Sequence, residues 1–311
     1  MARAYASIVL KAPVETVWSL IRDFNGLPRW APAVASCEIE GGGDSDVVGC
    51  MRSLRTKDGI EVRERPLTLD DANHSFTYNF EKPAYPVRNY IATTRLYPVT
   101  HTDETFAEWE AIFDEAAGDE GKYERIIARD VFSANWANLA KIIAARKPRK
   151  PEGAVRWKGF QPNKVWTSRV KRAPVERVWD VMRDFARKGA WHEDIRKMHM
   201  LGGVRSDKVS GIRDFYFGEG HLNEELLHLC DRTRSFSYRI TKCEIPWINY
   251  VSGPRLWPVT AGNTTFAVWT GDWDASPQDD LVLIPRTEHN VYQEALATVE
   301  RKLRTRRRGS A

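Results

Sequence analysis

Cysteine is scarce in this chain. Cys37, Cys50, Cys230 and Cys243 lie far apart, form no CxxC pair and stand at no spacing from histidine that suits zinc. They read as buried free thiols. No apolar run approaches the roughly 18 residues that span a bilayer, so membrane insertion is not expected. The opening stretch MARAYASIVLKAPVETVW turns charged and amphipathic too early for a signal peptide. A cytoplasmic protein is expected. Glycine-rich phosphate loops, dinucleotide fingerprints, metal-ligand clusters and Cys/His nucleophile pairs are missing as well. The expectation is chemistry, or binding, with no cofactor and no metal.

What is plentiful is positive charge, and its location decides its meaning. Residues 146–164 hold seven Lys/Arg against one Glu, and residues 301–311 hold six Lys/Arg and no acid. Each segment carries +6, which leaves −7 for the remainder of a chain whose net charge is +5. The basicity belongs to a linker and a tail, as solvated charge runs usually do, and no nucleic-acid partner is expected.

The chain is also written twice. APVETVWSLIRDF (12–24) aligns with APVERVWDVMRDF (173–185), nine identities in thirteen. Trp30 matches Trp191 and Arg52 matches Arg213 at an offset of 161; SFTY (75–78) matches SFSY (235–238) and TFAEW (105–109) matches TFAVW (265–269) at 160. PVRNYIATTRLYPVT (86–100) likewise returns as PWINYVSGPRLWPVT (246–260). A long period present only twice is a duplicated domain rather than a solenoid. The expected organisation is a domain over 1–146, a basic linker over 147–163, a second domain over 164–304 and a basic tail over 305–311.

Within each copy, a short strand (4–10) ends at Pro13, which suits the first turn of a helix. Val14, Val17, Trp18 and Ile21 then recur at helical spacing. Several alternating segments follow, punctuated by GGGD, KDG, DDANH and HTDE, and an amphipathic helix closes the copy. The fold class is α+β: two tandem domains, each with its long closing helix laid across a curved antiparallel sheet.

Side-chain parity in the strands then points inward at an unusual set. Arg52 shares a face with Leu54, Glu64 with Val62, Tyr78 with Phe76 and Phe80, Tyr90 with Ala92 and Leu96, and Trp109 with Ala111 and Phe113. The second copy offers Arg213, Glu225, Tyr238, Tyr250 and Trp269. An Arg and a Glu on apolar faces are costly unless they pair or bind something polar. Two readings stay open: an internal ion pair set in aromatic packing, or a cavity with a few convergent polar groups.

The motifs APVETVW with RDF, GCMR, RERPL, VRNYIAT and TFAEW resemble the polyketide cyclase/dehydrase branch of the START/Bet v 1 (SRPBCC) superfamily. The resemblance covers nearly the whole chain, once per repeat, and implies two tandem helix-grip domains, each a curved antiparallel sheet wrapped around a long C-terminal helix with an internal cavity. Similar strand motifs occur in lachrymatory factor synthases and in plant abscisic-acid receptors. The first comparison implies catalytic roles for Arg52, Glu64, Tyr78 and Tyr90, and for Arg213, Glu225, Tyr238 and Tyr250 in the second copy. The second implies ligand contact without catalysis. Trp30, Trp109, Trp191, His192 and Trp269 are expected to contact ligand.

On this reading Glu64 performs acid/base work, Arg52 holds an anionic oxygen, and the tyrosines donate to a carbonyl oxygen. The activity implied is a cofactor-independent cyclase/dehydratase or isomerase acting on a polyketide-like or other small hydrophobic carbonyl compound. The alternative is a non-catalytic carrier of a hydrophobic ligand. Tandem copies resemble di-domain aromatase/cyclases, which implies a substrate tethered to an acyl carrier protein. His74 and His101 are expected to be exposed in turns, and His192 and His221 are candidates for a pocket mouth.

Overall fold

In a computed structural model describing residues 1–145 and 163–308, the chain forms two compact units, one for each repeat. The linker expected over 147–163 lies, apart from Asn163, outside the described residues. The closing helix reaches Arg308, so the segment expected to be a tail from 305 begins as helix. No described helix is long and apolar enough to cross a membrane.

The first unit contains strands β1 (Ala2–Leu10), β2 (Val34–Ile39), β3 (Arg52–Thr56), β4 (Glu61–Asp70), β5 (Ser75–Lys82), β6 (Arg88–Val99) and β7 (Glu104–Asp114). They form one seven-stranded sheet in the order β1-β7-β6-β5-β4-β3-β2. Helix α1 (Val14–Ile21) follows Pro13 and buries Val14, Val17, Trp18 and Ile21. The closing helix begins as α2 (Lys122–Ile126), widens to a π-helical stretch over Ile127–Ser133, and ends as α3 (Ala134–Ala145). It buries Phe132, Trp136, Leu139 and Ile143.

The second unit repeats this plan. Strands β8 (Val165–Lys171), β9 (Ile195–Met200), β10 (Ile212–Phe217), β11 (Gly220–Cys230), β12 (Ser235–Lys242), β13 (Ile248–Val259) and β14 (Thr264–Asp274) form its sheet in the corresponding order. Its helices are α4 (Val175–Met182), α5 (Pro277–Arg286) and α6 (Glu294–Arg308), with a π-helical stretch over Thr287–Gln293 joining the last two.

The most faithfully repeated motif fastens the frame. Trp18 Nε1 donates to Asp71 Oδ1 at 2.8 Å, and Arg22 grips the same carboxylate at 2.6 and 2.8 Å. Asp23 then caps the helical turn Phe24–Arg29 by accepting from Asn25 N. Trp179 and Arg183 hold Asp231 identically. The repeated Asn-Tyr pair has a similar use. Asn89 and Asn249 take left-handed backbone (φ 52° and 54°), which asparagine tolerates. Each amide donates at 2.7 Å to the aspartate ending the neighbouring strand, Asp114 or Asp274. This kink opens β6 and β13 and turns Tyr90 and Tyr250 inward.

Two smaller expectations change. The cysteines are half-buried rather than buried. His74 is buried, not exposed: its left-handed backbone (φ 47°) folds the ring against Trp18, with Nε2 3.2 Å from Glu15 Oε1.

Candidate functional site

In the first unit, Arg52 on β3 faces Glu64 on β4 across the sheet, and the two residues are only 4% and 5% exposed. Arg52 Nε donates to Glu64 Oε2 at 2.8 Å, and Nη2 donates to the same oxygen. Nη1 donates to the Phe24 carbonyl, while the guanidinium lies 3.6 Å from the centre of the Phe24 ring. Arg52 therefore ties the turn after α1 to the sheet through three of its five N–H groups. Both contacts fall on Oε2, so Glu64 Oε1 is the carboxylate oxygen not held by Arg52.

Tyr78 and Tyr90 continue the inward row with rings 6.2 Å apart, and Tyr78 lies 6.4 Å from Trp109. Burial pushes both phenols up, with the Glu64 charge adding to the effect at Tyr78. They remain protonated donors across the physiological range. Trp30, Trp109 and Trp136 form a triangle with centroids 5.5–6.2 Å apart, and Phe132 stacks on Trp109 at 4.6 Å. Among the described residues none of the three indole N–H groups has an acceptor.

These rings occupy the place expected of a cavity. A concavity lined by Arg22, Phe24, Asp46, Pro66, Leu69 and Phe76 encloses about 10 Å³, room for roughly one water. Aromatic rings from the sheet and the closing helix meet in the interior of the grip.

The second unit keeps the frame and corrects one assignment. The buried partner of Arg213 is Glu224, not Glu225. Arg213 Nε donates to Glu224 Oε2 at 2.7 Å and Nη1 to the Phe185 carbonyl at 2.6 Å. Glu225 lies on the other face and pairs with Arg239 at 2.8 Å, where Arg239 is half exposed. The β10–β11 turn is one residue shorter than the β3–β4 turn, so the offset has already fallen to 160 at this point. A one-residue slip turns a strand side chain to the opposite face.

Around that pair the interior differs. Tyr250 and Tyr292 share a hydroxyl–hydroxyl bond at 2.5 Å, and Trp269 donates to Ser252 Oγ at 3.0 Å. Trp191 is buried and its N–H has no acceptor among the described residues. His192 is 2% exposed rather than at a mouth, and neither ring nitrogen has a partner among the described residues. Burial, then the nearby Lys188, lowers it to about 3, so the imidazole is neutral. His221 sits elsewhere, bonded to Asp214 at 2.7 Å and stacked on Tyr216.

Sequence reading missed Lys188. It is 4% exposed, 5.1 Å from the Trp269 ring and 6.0 Å from the Tyr238 ring. Burial lowers it to about 8, opposed by Glu224 and assisted by Arg213. Leu27 holds the matching place in the first unit, so comparing the copies position by position would have exposed the substitution. Trp136 and Tyr292 were missed as well, because both belong to closing helices read only for their apolar side.

The family described as polyketide cyclase/dehydrase and lipid transport matches residues 1–144 and again 162–304. The chain belongs to this family. Abscisic acid receptor PYL1 of Arabidopsis thaliana is 28% identical over 145 residues, covering 44% of this chain and 65% of the receptor. The chain spans less than two thirds of the length of the curated relatives it matches first. A protein of solved structure from Nitrosospira multiformis is 32% identical, with 46% of this chain and 97% of that one covered and a TM-score of 0.40. The di-domain ARO/CYC BexL from the BE-7585A biosynthetic pathway covers 96% of this chain and 98% of its own at 12% identity and a TM-score of 0.39.

Proposed function

We propose that the first unit of this family member receives a small hydrophobic carbonyl compound and converts it without a cofactor, by cyclisation with dehydration or by isomerisation. One observation carries the reading: a buried carboxylate with Oε1 outside the Arg52 contact shares an inward row with two buried, protonated phenols. Glu64 takes the proton beside the carbonyl, and the Tyr90 or Tyr78 hydroxyl donates to the developing enolate oxygen. Return of the proton at another carbon gives the isomer; loss of water after ring closure gives the dehydrated product. The role first expected of Arg52 passes to the tyrosines, because the guanidinium is drawn onto Glu64 and the Phe24 carbonyl. Trp30 and Trp109 stand in the interior as the walls of the ligand. The same roles fall in the second unit to Glu224, Tyr238 and Tyr250, with Trp191, His192 and Trp269 as walls.

A second reading, carriage without conversion, is favoured by the closure of Arg52 on Glu64 and the Phe24 carbonyl, which is sufficient as a structural tie. It also agrees with the similarity to a receptor for abscisic acid. An acidic acyl carrier protein as partner rests on the charge of the 147–163 segment, which lies almost wholly outside the described residues.

Ligand capture separates the readings. Wild type and the variant with Tyr78, Tyr90, Tyr238 and Tyr250 all changed to Phe are incubated with extract of the source cells, washed and denatured, and the released molecules are weighed by mass spectrometry. Phenylalanine keeps the rings and the fold. Conversion predicts a precursor on the variant and its isomer or dehydrated product from wild type. Identical molecules from both would leave carriage.

A further inference from the structure

Besides Lys171, whose buried amine donates to the Leu296 carbonyl, the second unit buries a lysine that its frame does not explain. Arg213 and Glu224 neutralise one another, and Arg213 places two donors on Glu224 Oε2. Lys188 is then left with aromatic faces, Trp269 and Tyr238, and forms no ion pair among the described residues. Its backbone turn, Phe185–Ala190, superposes in sequence on Phe24–Arg29, where leucine does the packing. The fold therefore has no need of an amine there.

We propose that Lys188 is a covalent capture site for a hydrophobic aldehyde or ketone, held as an imine inside the second unit. A buried lysine amine becomes a nucleophile when its surroundings favour the neutral form. Its value of about 8 leaves roughly a tenth of the amine neutral at pH 7, against well under a thousandth for an ordinary lysine. Trp269 and Tyr238 offer apolar walls for the body of the ligand. His192, neutral and with both ring nitrogens free of partners among the described residues, stands ready to hydrogen-bond the departing oxygen.

The step balances without any oxidant. The amine nitrogen bonds to the carbonyl carbon to give a carbinolamine. The carbon–oxygen bond then breaks, and the oxygen leaves as water with the two protons that the neutral amine carried. A carbon–nitrogen double bond remains. This proposal goes beyond the conversion assigned to the Glu–Tyr rows of the two units, since it rests on Lys188, and either can fail without the other.

Reductive trapping tests it on the full chain. The protein is treated at pH 7 with 3-phenylpropanal and sodium cyanoborohydride, which delivers hydride to an imine, and adducts are mapped by peptide mass spectrometry over time. Lys188 is expected to be labelled on the order of ten-fold faster than the exposed Lys57 and Lys242. Lys188→Leu, which copies Leu27 and is expected to fold, should lose the fast adduct and keep the slow surface ones. Labelling of Lys188 no faster than of Lys57, or none at all, would overturn the proposal and leave a cation packed on aromatic rings. A fast adduct surviving in Lys188→Leu would overturn it too.

Discussion

The two units share strands, turns and an Arg–Glu tie, yet they fill the same interior with different chemistry. Where the first unit places Leu27, Ala31, Phe132 and Trp136, the second places Lys188, His192, Tyr292 and Leu296. The first interior is a ring cluster that adds three indole N–H groups, without acceptors among the described residues, to the tie and the two phenols. The second contains an amine, a neutral imidazole and a closed tyrosine pair. The tie must stay the same in both because it holds the Phe24 or Phe185 turn to the sheet. The filling is free to differ, because rings and polar groups of similar bulk satisfy the same walls. Difference between the copies is thus the better guide to ligand chemistry, and sameness the better guide to the frame.

If the tie is frame in both units, breaking it should hurt both alike. Arg52→Met and Arg213→Met each strand a buried carboxylate, which costs about 3–5 kcal/mol. Denaturant unfolding should show losses of the same size at the two sites. Restoring balance with Glu64→Leu or Glu224→Leu in the same chain should recover most of the loss, since an apolar pair of similar volume is often neutral. A loss confined to one unit would mean that the pair serves different ends in the two.

Lys188 should separate the units next. Its folded value of about 8 against about 10.4 when unfolded corresponds to roughly 3 kcal/mol of penalty below pH 8. Between those values the unfolded chain holds the proton that the folded chain has released, so stability rises with pH and the penalty fades. Lys188→Leu should therefore stabilise by about 3 kcal/mol at pH 7, and the gain should shrink as pH climbs from 8 towards 10.4. A gain independent of pH would show that packing, not charge, accounts for it.

A smaller contrast lies at the π-helical stretches. A Cβ on Gly271 would overlap the Tyr292 hydroxyl, whereas the first unit pairs Ala111 with Phe132. Gly271→Ala should cost about 1–3 kcal/mol through overpacking. Tyr292→Phe alone should cost about 1 kcal/mol by removing the bond to Tyr250. Together the two changes recreate the first unit's pair, so the double variant should be more stable than Gly271→Ala. Additive losses in the thermal melts would reject the coupling.

How much of this was legible follows from what each residue does. Trp18, Arg22, Asp23, Phe24 and the Asn–Tyr pair are frame, so both copies retain them and the period reveals them. Arg52, Tyr78, Tyr90 and Trp109 were legible by parity, since strands alternate faithfully away from bulges. Parity fails where the count shifts, as at the shorter β10–β11 turn. His74 escaped because turn composition says nothing about where a left-handed residue sends its side chain. Alternation likewise tells which side chains face inward, not what volume they leave between them.

The displaced assignment supplies the last and smallest test. Glu225 was expected to do the work of Glu64, yet it stands in register with Arg65, on the outer face. There the copies exchange charges: Arg65 pairs with Glu81 at 2.9 Å, and Glu225 pairs with Arg239 at 2.8 Å. Such partly exposed pairs contribute about 0–1 kcal/mol, because water screens them and holding two long side chains costs entropy. Glu225→Gln should then change stability by less than about 1 kcal/mol and leave ligand capture untouched. Glu224→Gln, one residue away, leaves Arg213 buried without its counter-charge and should cost several times more. If instead Glu225→Gln alters the captured molecule while Glu224→Gln does not, the ligand lies against the outer face of the sheet, and the interior comparison drawn between the two units would no longer concern function.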